Sequence, residues 1–343
     1  MLLDMIFLVI SAVVSGSNNW KEIETFGKSQ IKWLRKYVTL KNGIPSHDTL
    51  GRVFSILDYE KFSQCFIEWI QTISTLTNGE VIAIDGKRLC GSSDKTLGIK
   101  AIHMVSAFAS ENCLCLGQTT CDEKSNEITA IPVLLEILSI KGCTVTIDAM
   151  GCQSKIAEKI IEKEANYILA VKDNQKELHE QVVKMFEIKE PQSVDIDVDS
   201  GHGRIETRKC AVVSNLTFFD IDKEWTGLKT VVKIESERFI QVENKKQNET
   251  RYYISSLDVN AKTMNSMIRN HWRIENNLHW MLDVNFGEDS SSRRKGDSAK
   301  NFNLISKIAM SLIIKEKSEK NSMAIKRYKA ALDPDYREMI LKI

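Results

Sequence analysis

The sequence predicts an α/β fold in which a helical region precedes a core of alternating strands and helices. Up to residue 78, apolar side chains such as Trp20 and Ile23 recur at roughly helical spacing. After the turn signal Asn78-Gly79, short apolar runs alternate with helical segments, as in a sheet flanked by helices. The predicted segments are a helical domain (1–78), the first part of the α/β core (79–189), a β-rich insertion (190–262), and the second part of the core with C-terminal helices (263–343).

The composition indicates a globular protein. Of the 343 residues, 43% are hydrophobic and 27% are charged. The chain carries 47 basic against 46 acidic residues, so a DNA-binding protein of this composition must concentrate its positive charge locally. None of the eight cysteines forms a CxxC pair or stands at zinc-ligand spacing from a histidine. We therefore expect reduced cysteines and a cytoplasmic protein.

The first apolar run, Leu2 to Val14, is too short to span a bilayer and contains Asp4. A secretory signal is the competing interpretation, but such signals have basic residues before the apolar run, and this chain has none there. We therefore expect a buried N-terminal helix and no association with a membrane.

Two aspartates follow apolar runs of the predicted core. The run Val81 to Ile84 ends at Asp85, and the run Cys143 to Ile147 ends at Asp148. Ligands of open α/β sheets bind at the carboxyl ends of the strands, and carboxylate oxygens suit Mg²⁺ or Mn²⁺. Each aspartate taken singly is better explained as the cap of the next turn or helix, so the metal hypothesis depends on a third residue.

That third residue is Glu275, which falls within an apolar helical stripe. A carboxylate on the buried side of a helix is costly unless it is paired, protonated or bound to metal, and a buried ion pair with an arginine is the alternative. Together with Asp85 and Asp148 it would hold two divalent ions roughly 3.5–4 Å apart, an arrangement suited to phosphoryl transfer. The stripe consists of Met264, Met267, Ile268, Trp272, Leu278 and Leu282.

Around these residues the chain resembles bacterial insertion-sequence transposases of the DDE class, specifically the ISAs family with its H-repeat-associated proteins. The resemblance covers nearly the whole chain and is strongest around Glu275. The matching segments are Asn42 to Thr49, Ile84 to Lys87, Thr146 to Met150, Gly201 to Arg208, His271 to Trp280, Leu282 to Val284 and Glu288-Asp289.

The resemblance implies a ribonuclease-H-like core, meaning a mixed sheet flanked by helices, with the β-rich insertion placed before the glutamate helix. It also implies that Asp85, Asp148 and Glu275 are the catalytic residues and the ligands of Mg²⁺ or Mn²⁺, as two ions. The implied partners are DNA, in the form of terminal inverted repeats and target DNA, and further copies of the chain in a homo-oligomer.

Several basic residues are candidates for contact with DNA phosphates, which supply most non-specific DNA affinity. One group lies in the β-rich insertion, a second follows the glutamate helix, and one lysine stands two residues after Asp85. Solvated surface charge is the alternative for each of them. The candidates are His202, Arg204 and Arg208; Arg293, Arg294 and Lys295; and Lys87.

Aromatic residues flank Glu275 as well. Trp272 and Trp280 are expected in the core because of their helical spacing, with stacking on a DNA base as the alternative. His271 and His279 stand four residues before and after the glutamate. We expect hydrogen-bonded helix histidines, with contact to a metal or to the scissile phosphate as the alternative.

Three functions fit these patterns. The first is a transposase that cleaves and transfers the strands of its own element. The second is a metal-dependent nuclease of ribonuclease-H-like fold that hydrolyses DNA without joining it. The third is an inactive DNA-binding relic. The third is expected if this copy is truncated at its N-terminus, because Met1 falls almost on the first apolar helix.

Overall fold

The first part of the chain is helical, as predicted. The structure is a computed structural model that describes residues 2–93, 98, 100–121, 127–201, 203–217, 219, 224–240 and 245–342. Leu8 and Val9 of the first helix have no exposed surface, which confirms the buried N-terminal helix. Within the described residues, no helix is long and apolar enough to cross a bilayer. The helices are α1 (Leu2–Val14), α2 (Trp20–Ser29), α3 (Ile31–Leu34), α4 (His47–Ile56) and α5 (Tyr59–Ile73).

One mixed sheet of nine strands organises the rest of the described chain, in the order β3-β2-β1-β4-β5-β9-β8-β7-β6. Strands β1, β4 and β5 are parallel, and the other neighbours are antiparallel. The strands are β1 (Val81–Leu89), β2 (Ile102–Ala109), β3 (Leu114–Cys121), β4 (Thr144–Ile147), β5 (Asn166–Val171), β6 (Ser193–Gly201), β7 (Arg204–Val213), β8 (Thr230–Ile240) and β9 (Lys245–Ser255).

The β-rich segment continues the core sheet, because β9 pairs with β5. In β6, aspartates alternate with apolar residues, and the aspartates face α9 while the apolar side chains face outward. Asp195 accepts a hydrogen bond from Asn265, and Asp197 pairs with Arg269 at 3.0 Å, whereas Ile196 is 62% exposed.

The later helices are α6 (Glu127–Ile137), α7 (Ser154–Glu162), α8 (Lys176–Ile188), α9 (Ala261–His271), α10 (Trp280–Phe286), α11 (Ser298–Lys315), α12 (Met323–Leu332) and α13 (Pro334–Leu341).

Helix α11 joins the N-terminal helices to the sheet. It packs against α1, α4, α5 and β3, and the side chains of Leu304, Ile305 and Ala309 are fully buried. The same hydrophobic core contains Leu8 of α1 and Ile84 of β1. The N-terminal helices therefore share their core with the sheet.

The predicted end of β1 at Asp85 is wrong, because the strand continues to Leu89. Its pairing with β4 stops at Ile84, opposite Ile147, while its antiparallel pairing with β2 continues. Asp85 is thus the first residue of β1 beyond the parallel pairing, and Asp148 is the first residue after β4. A strand can extend along one neighbour after the other has ended, which the apolar run alone does not reveal.

The helix around Glu275 is not continuous. Between α9 and α10 the residues Glu275–His279 form a π-helical turn. Such a turn contains an extra residue and rotates the side chains that follow it; π-turns occur often at functional sites. Helix α9 ends at His271, so the helical spacing is already interrupted before this turn. Ile274 is buried, while Glu275 and Trp272 are exposed. The prediction that Glu275 and Trp272 lie on the buried stripe was wrong, and so was the prediction of a core position for Trp280, which is 57% exposed.

Candidate active site

The three predicted carboxylate residues line one cavity, of about 240 Å³. Asp85 comes from β1, Asp148 from the end of β4, and Glu275 from the π-turn. Helix α9 brings the glutamate there because it packs across β1, β4, β6 and β7. Other residues of the cavity wall include Thr146, Lys172, Arg251, Tyr253, His271 and Trp272.

Asp85 and Glu275 lie close together. One carboxylate oxygen of each lies within 4.8 Å of the other, in a group that also includes a ring nitrogen of His279. Burial, and then the negative charge of Glu275, raise the pKa of the Asp85 carboxyl. The pKa of Glu275 is lowered, chiefly by its polar contact with the His279 imidazole. Of the two carboxyls, the more buried one therefore has the higher pKa.

Asp148 lies in a tight turn after β4. Its Oδ1 accepts hydrogen bonds from the backbone N–H groups of Met150 (3.1 Å) and Gly151 (3.3 Å). The residue thus caps its turn, as the simpler interpretation expected, but both bonds use the same oxygen. It is not in the close group of Asp85, Glu275 and His279 that the described residues form.

The two histidines beside Glu275 differ in their hydrogen bonding. The Nδ1 of His271 lies 2.9 Å from the hydroxyl of Thr146, which is an ordinary hydrogen bond. The Nδ1 of His279 lies 3.4 Å from Glu275 Oε2 and 3.6 Å from Asp85 Oδ2. His279 is only 5% exposed, and its Nε2 has no hydrogen-bond partner in the described part of the chain. The prediction of a hydrogen-bonded helix histidine is therefore confirmed for His271 but not for His279.

Lys87 points to the same side of β1 as Asp85, two residues earlier. Its ammonium forms ion pairs with Asp283 of α10 and, at 2.8 Å, with Glu288 of the next loop. It also donates to the backbone oxygen of His279 at 3.4 Å. The side chain is 16% exposed. Lys87 thus connects β1 to the segment after the π-turn. A lysine that contacts DNA phosphates would be expected to be exposed, and Lys87 is not.

The other basic candidates are separated in the structure. Arg204 is exposed at the tip of the β6–β7 hairpin, and Arg208, four residues along the same strand, is buried. Arg293 is half-buried, donates to Ser291 Oγ at 2.7 Å and to the backbone oxygen of Asn18, and packs its guanidinium on an aromatic ring. His202 lies outside the described residues.

Arg294 and Lys295 are exposed and line a second, larger cavity of about 880 Å³. Arg52 of α4 also lines it, so the cavity is bounded by the N-terminal helices and by the loop before α11. Arg52 was not among the predicted DNA contacts, and neither were Lys172 and Arg251 of the carboxylate cavity. Lys172 directly follows β5 and could have been found as a further strand end, whereas nothing in the spacing indicates Arg251.

Comparison with known proteins identifies the class. Residues 77–312 match the family model described as Transposase DDE domain, and residues 1–70 match the model described as DDE_Tnp_1-associated. The chain belongs to the DDE transposases, enzymes that cleave and transfer DNA strands. Membership of this family implies binding to DNA and dependence on a divalent metal.

Similar curated proteins span the whole chain. It is 46% identical to "Putative transposase YncI" of Escherichia coli O157:H7, over 98% of this chain and 88% of that protein. It is 43% identical to "H repeat-associated putative transposase YhhI" of Escherichia coli strain K12, over 98% and 91% of the two chains. Among solved structures, a piggyBac transposase synaptic complex with hairpin DNA matches 99% of this chain and 72% of that one, at a TM-score of 0.46 and 13% identity. The recognition of an H-repeat-associated transposase from the motifs is confirmed.

Proposed function

We propose that Asp85, Asp148 and Glu275 are the catalytic residues of this transposase, and that they hold two divalent ions, Mg²⁺ or Mn²⁺. The observation that carries the proposal is that three separate elements of the fold bring these carboxylates to one cavity. The reaction is the cleavage of DNA at the ends of the element and the transfer of those ends to target DNA.

The residues of the cavity fit divalent cations. Oxygen ligands from carboxylates suit Mg²⁺ and Mn²⁺. Asp85 and Glu275 lie close together, and the pKa of Asp85 is raised by burial and by the charge of its neighbour. Two carboxylates so placed repel each other unless a proton or a cation lies between them. When bound, the ions would activate the attacking oxygen and stabilise the leaving 3′ oxygen.

The walls of the cavity support binding of a DNA strand. Arg251 is fixed by Glu249, which accepts hydrogen bonds from its Nε at 2.7 Å and from its Nη2 at 2.9 Å. The guanidinium lies 5.0 Å from the ring centre of Trp272, which is 43% exposed. Lys172 adds a second positive charge to the same wall. These groups would hold a phosphodiester, and a base next to it, against the carboxylates.

We further propose that β1 to β5 form a ribonuclease-H-like core. The spatial order β3-β2-β1-β4-β5, with three parallel and two antiparallel strands, supports this assignment. Residues 190–262 would then be its insertion, residues 263–343 its completion, and residues 1–78 a DNA-binding helical domain. The cavity between Arg52 and Lys295 is a suitable surface for the terminal inverted repeats, which are proposed to bind a homo-oligomer.

The decisive experiment incubates the purified full chain with paired terminal repeats, target DNA, and Mg²⁺ or Mn²⁺. Joined products are expected from the wild type. Asp85→Asn, Asp148→Asn and Glu275→Gln should each lose cleavage and joining while remaining folded, with a cooperative thermal unfolding transition, and keeping the DNA affinity. Cleavage by any of the three variants would contradict the catalytic assignment. Hydrolysis without joined products would favour the metal-dependent nuclease.

A further inference from the structure

The imidazole of His279 lies against Asp85 and Glu275 without being satisfied by either. We infer that His279 is a further ligand of the divalent cation at this pair, through Nδ1. The inference rests on the proposed role of the two carboxylates as metal ligands. It gives the site a nitrogen donor in addition to its oxygen donors.

The distances around Nδ1 support this role. Its separations of 3.4 Å from Glu275 and 3.6 Å from Asp85 are longer than the N–H···O hydrogen bonds of roughly 2.7–3.2 Å in proteins. Two ligand atoms that are each about 2.1 Å from one cation lie about 3.0 Å apart at an octahedral angle and about 3.4 Å apart at a tetrahedral angle. The observed separations are therefore close to the spacing of ligands around a common ion.

The burial of His279 supports the same conclusion. The residue is 5% exposed, and its Nε2 is buried and without a hydrogen-bond partner within the described residues. A buried imidazole with an unpaired Nε2 is costly, and binding of a cation at Nδ1 would offset part of that cost. His271 provides the contrast within the same cavity, because its Nδ1 has the hydroxyl of Thr146 at 2.9 Å. A purely structural histidine would be expected to resemble His271.

The π-turn explains how the imidazole reaches this position. It begins at Glu275 and ends at His279, so the two residues start and finish one wide turn. Lys87 donates to the backbone oxygen of His279 and holds the end of the turn against β1. The side chains of Glu275 and His279 therefore both lie beside Asp85, which belongs to β1.

A nitrogen donor changes the choice of metal. Imidazole favours transition metals over Mg²⁺, whereas carboxylates accept both Mg²⁺ and Mn²⁺. We therefore expect this site to bind Mn²⁺ more tightly than Mg²⁺. His279→Asp, which makes the site all-oxygen, should narrow the difference between the two metals.

The test is a titration of the full chain with Mn²⁺, with and without a duplex carrying the end of the element, followed by electron paramagnetic resonance. Pulsed measurements on the wild type should detect coupling of Mn²⁺ to a histidine nitrogen. His279→Ala should lose this coupling and bind Mn²⁺ at least tenfold more weakly. His279→Asp should regain affinity but not the coupling. His271→Ala is the matched control and should keep both.

Absence of nitrogen coupling in the wild type, or its persistence in His279→Ala, would overturn the inference. Asp85→Asn and Glu275→Gln separate this failure from failure of the proposed function. If both variants weaken Mn²⁺ binding while the wild type lacks nitrogen coupling, the carboxylate site stands and only the role of His279 is wrong. If neither variant weakens binding, or the wild type binds no Mn²⁺, both proposals are wrong.

Discussion

Asp85 and Asp148 occupy adjacent positions one residue beyond Ile84 and Ile147, the last pair of the parallel β1–β4 ladder. The two aspartates come from strands that are separated by about 60 residues of chain, yet the register fixes them side by side. Because β1 continues along β2, Asp85 is held by strand pairing, whereas Asp148 is held by the N–H groups of the turn that it caps. The pair is thus fixed by backbone geometry, as positioning of a reacting phosphate requires.

A first prediction concerns stability in the absence of metal. The raised pKa of Asp85 means that the folded state holds a proton which the unfolded chain releases near the ordinary value of 3.8. The contribution of Asp85 to the free energy of unfolding therefore declines as the pH rises from 3.8 toward the raised pKa. Asp85→Asn should increase the free energy of unfolding at pH 7 by on the order of 1 kcal/mol.

Denaturant titrations at pH 5 and pH 7, with and without Mg²⁺, measure this effect. The advantage of the variant should be larger at pH 7 than at pH 5. Mg²⁺ should stabilise the wild type but not Asp85→Asn, because only the wild type has a carboxylate at position 85 to bind the ion. A variant less stable than the wild type at both pH values would mean that the carboxylate is satisfied by protein groups.

A second prediction concerns Lys87, whose ion pairs with Asp283 and Glu288 indicate a structural role. Lys87→Met should reduce the free energy of unfolding by about 2 kcal/mol, because Asp283 and Glu288 lose their partner in a partly buried position. Lys141→Met is the matched control, since its pair with Glu164 is exposed and should contribute less than about 0.5 kcal/mol. Unchanged stability with weakened DNA binding would instead restore Lys87 as a phosphate contact.

A third prediction concerns the two exposed tryptophans. Trp272 lines the carboxylate cavity beside Arg251, whereas Trp280 is exposed without lining it. Trp272→Ala should weaken binding of a single-stranded DNA end about tenfold, by loss of stacking, while the unfolding transition changes little. Trp280→Ala should leave the same affinity unchanged. Equal losses in both variants would show that stacking at the cavity is not the cause.

The sequence predicted a helical region followed by an α/β core, and it singled out three carboxylates that line one cavity. Asp148 follows an apolar strand in the structure as it does in the printed sequence, and β4 lies where its apolar run predicts it. The π-turn could not be foreseen, since helical spacing assumes a constant 3.6 residues per turn. Extending that spacing past the end of α9 at His271 placed Glu275 on the buried side of the stripe, where the structure instead has Ile274.

The partners of charged residues were also beyond the sequence. The ion pair of Lys87 with Asp283 joins residues that are far apart in the chain. The local sequence around a lysine is the same whether its side chain is paired or exposed. In β6, which side of the strand faces the protein depends on α9, whose Arg269 pairs with Asp197 and Asp199. Such outcomes depend on tertiary packing, which no local pattern encodes.

The last prediction separates the three consecutive basic residues after the glutamate helix. Arg293 is bonded to Ser291 and to the backbone of Asn18, and its guanidinium packs on the ring of Phe302. Arg294 and Lys295 are exposed on the wall of the large cavity. Their roles should differ accordingly, although their neighbouring positions in the sequence suggest one role for all three.

Replacing Arg294 and Lys295 together with alanine should weaken binding to specific and unrelated duplexes about equally. The slope of log affinity against log salt should fall by roughly 0.9 for each lost phosphate contact. Arg293→Ala should reduce the free energy of unfolding by about 2 kcal/mol, because the N-terminal helices lose an anchor to this loop. Its salt slope should match that of the wild type once the protein is folded. A reduced slope in Arg293→Ala would mean that this arginine leaves its buried contacts to meet DNA, and a loss confined to the specific duplex in the double variant would mean that these residues read sequence.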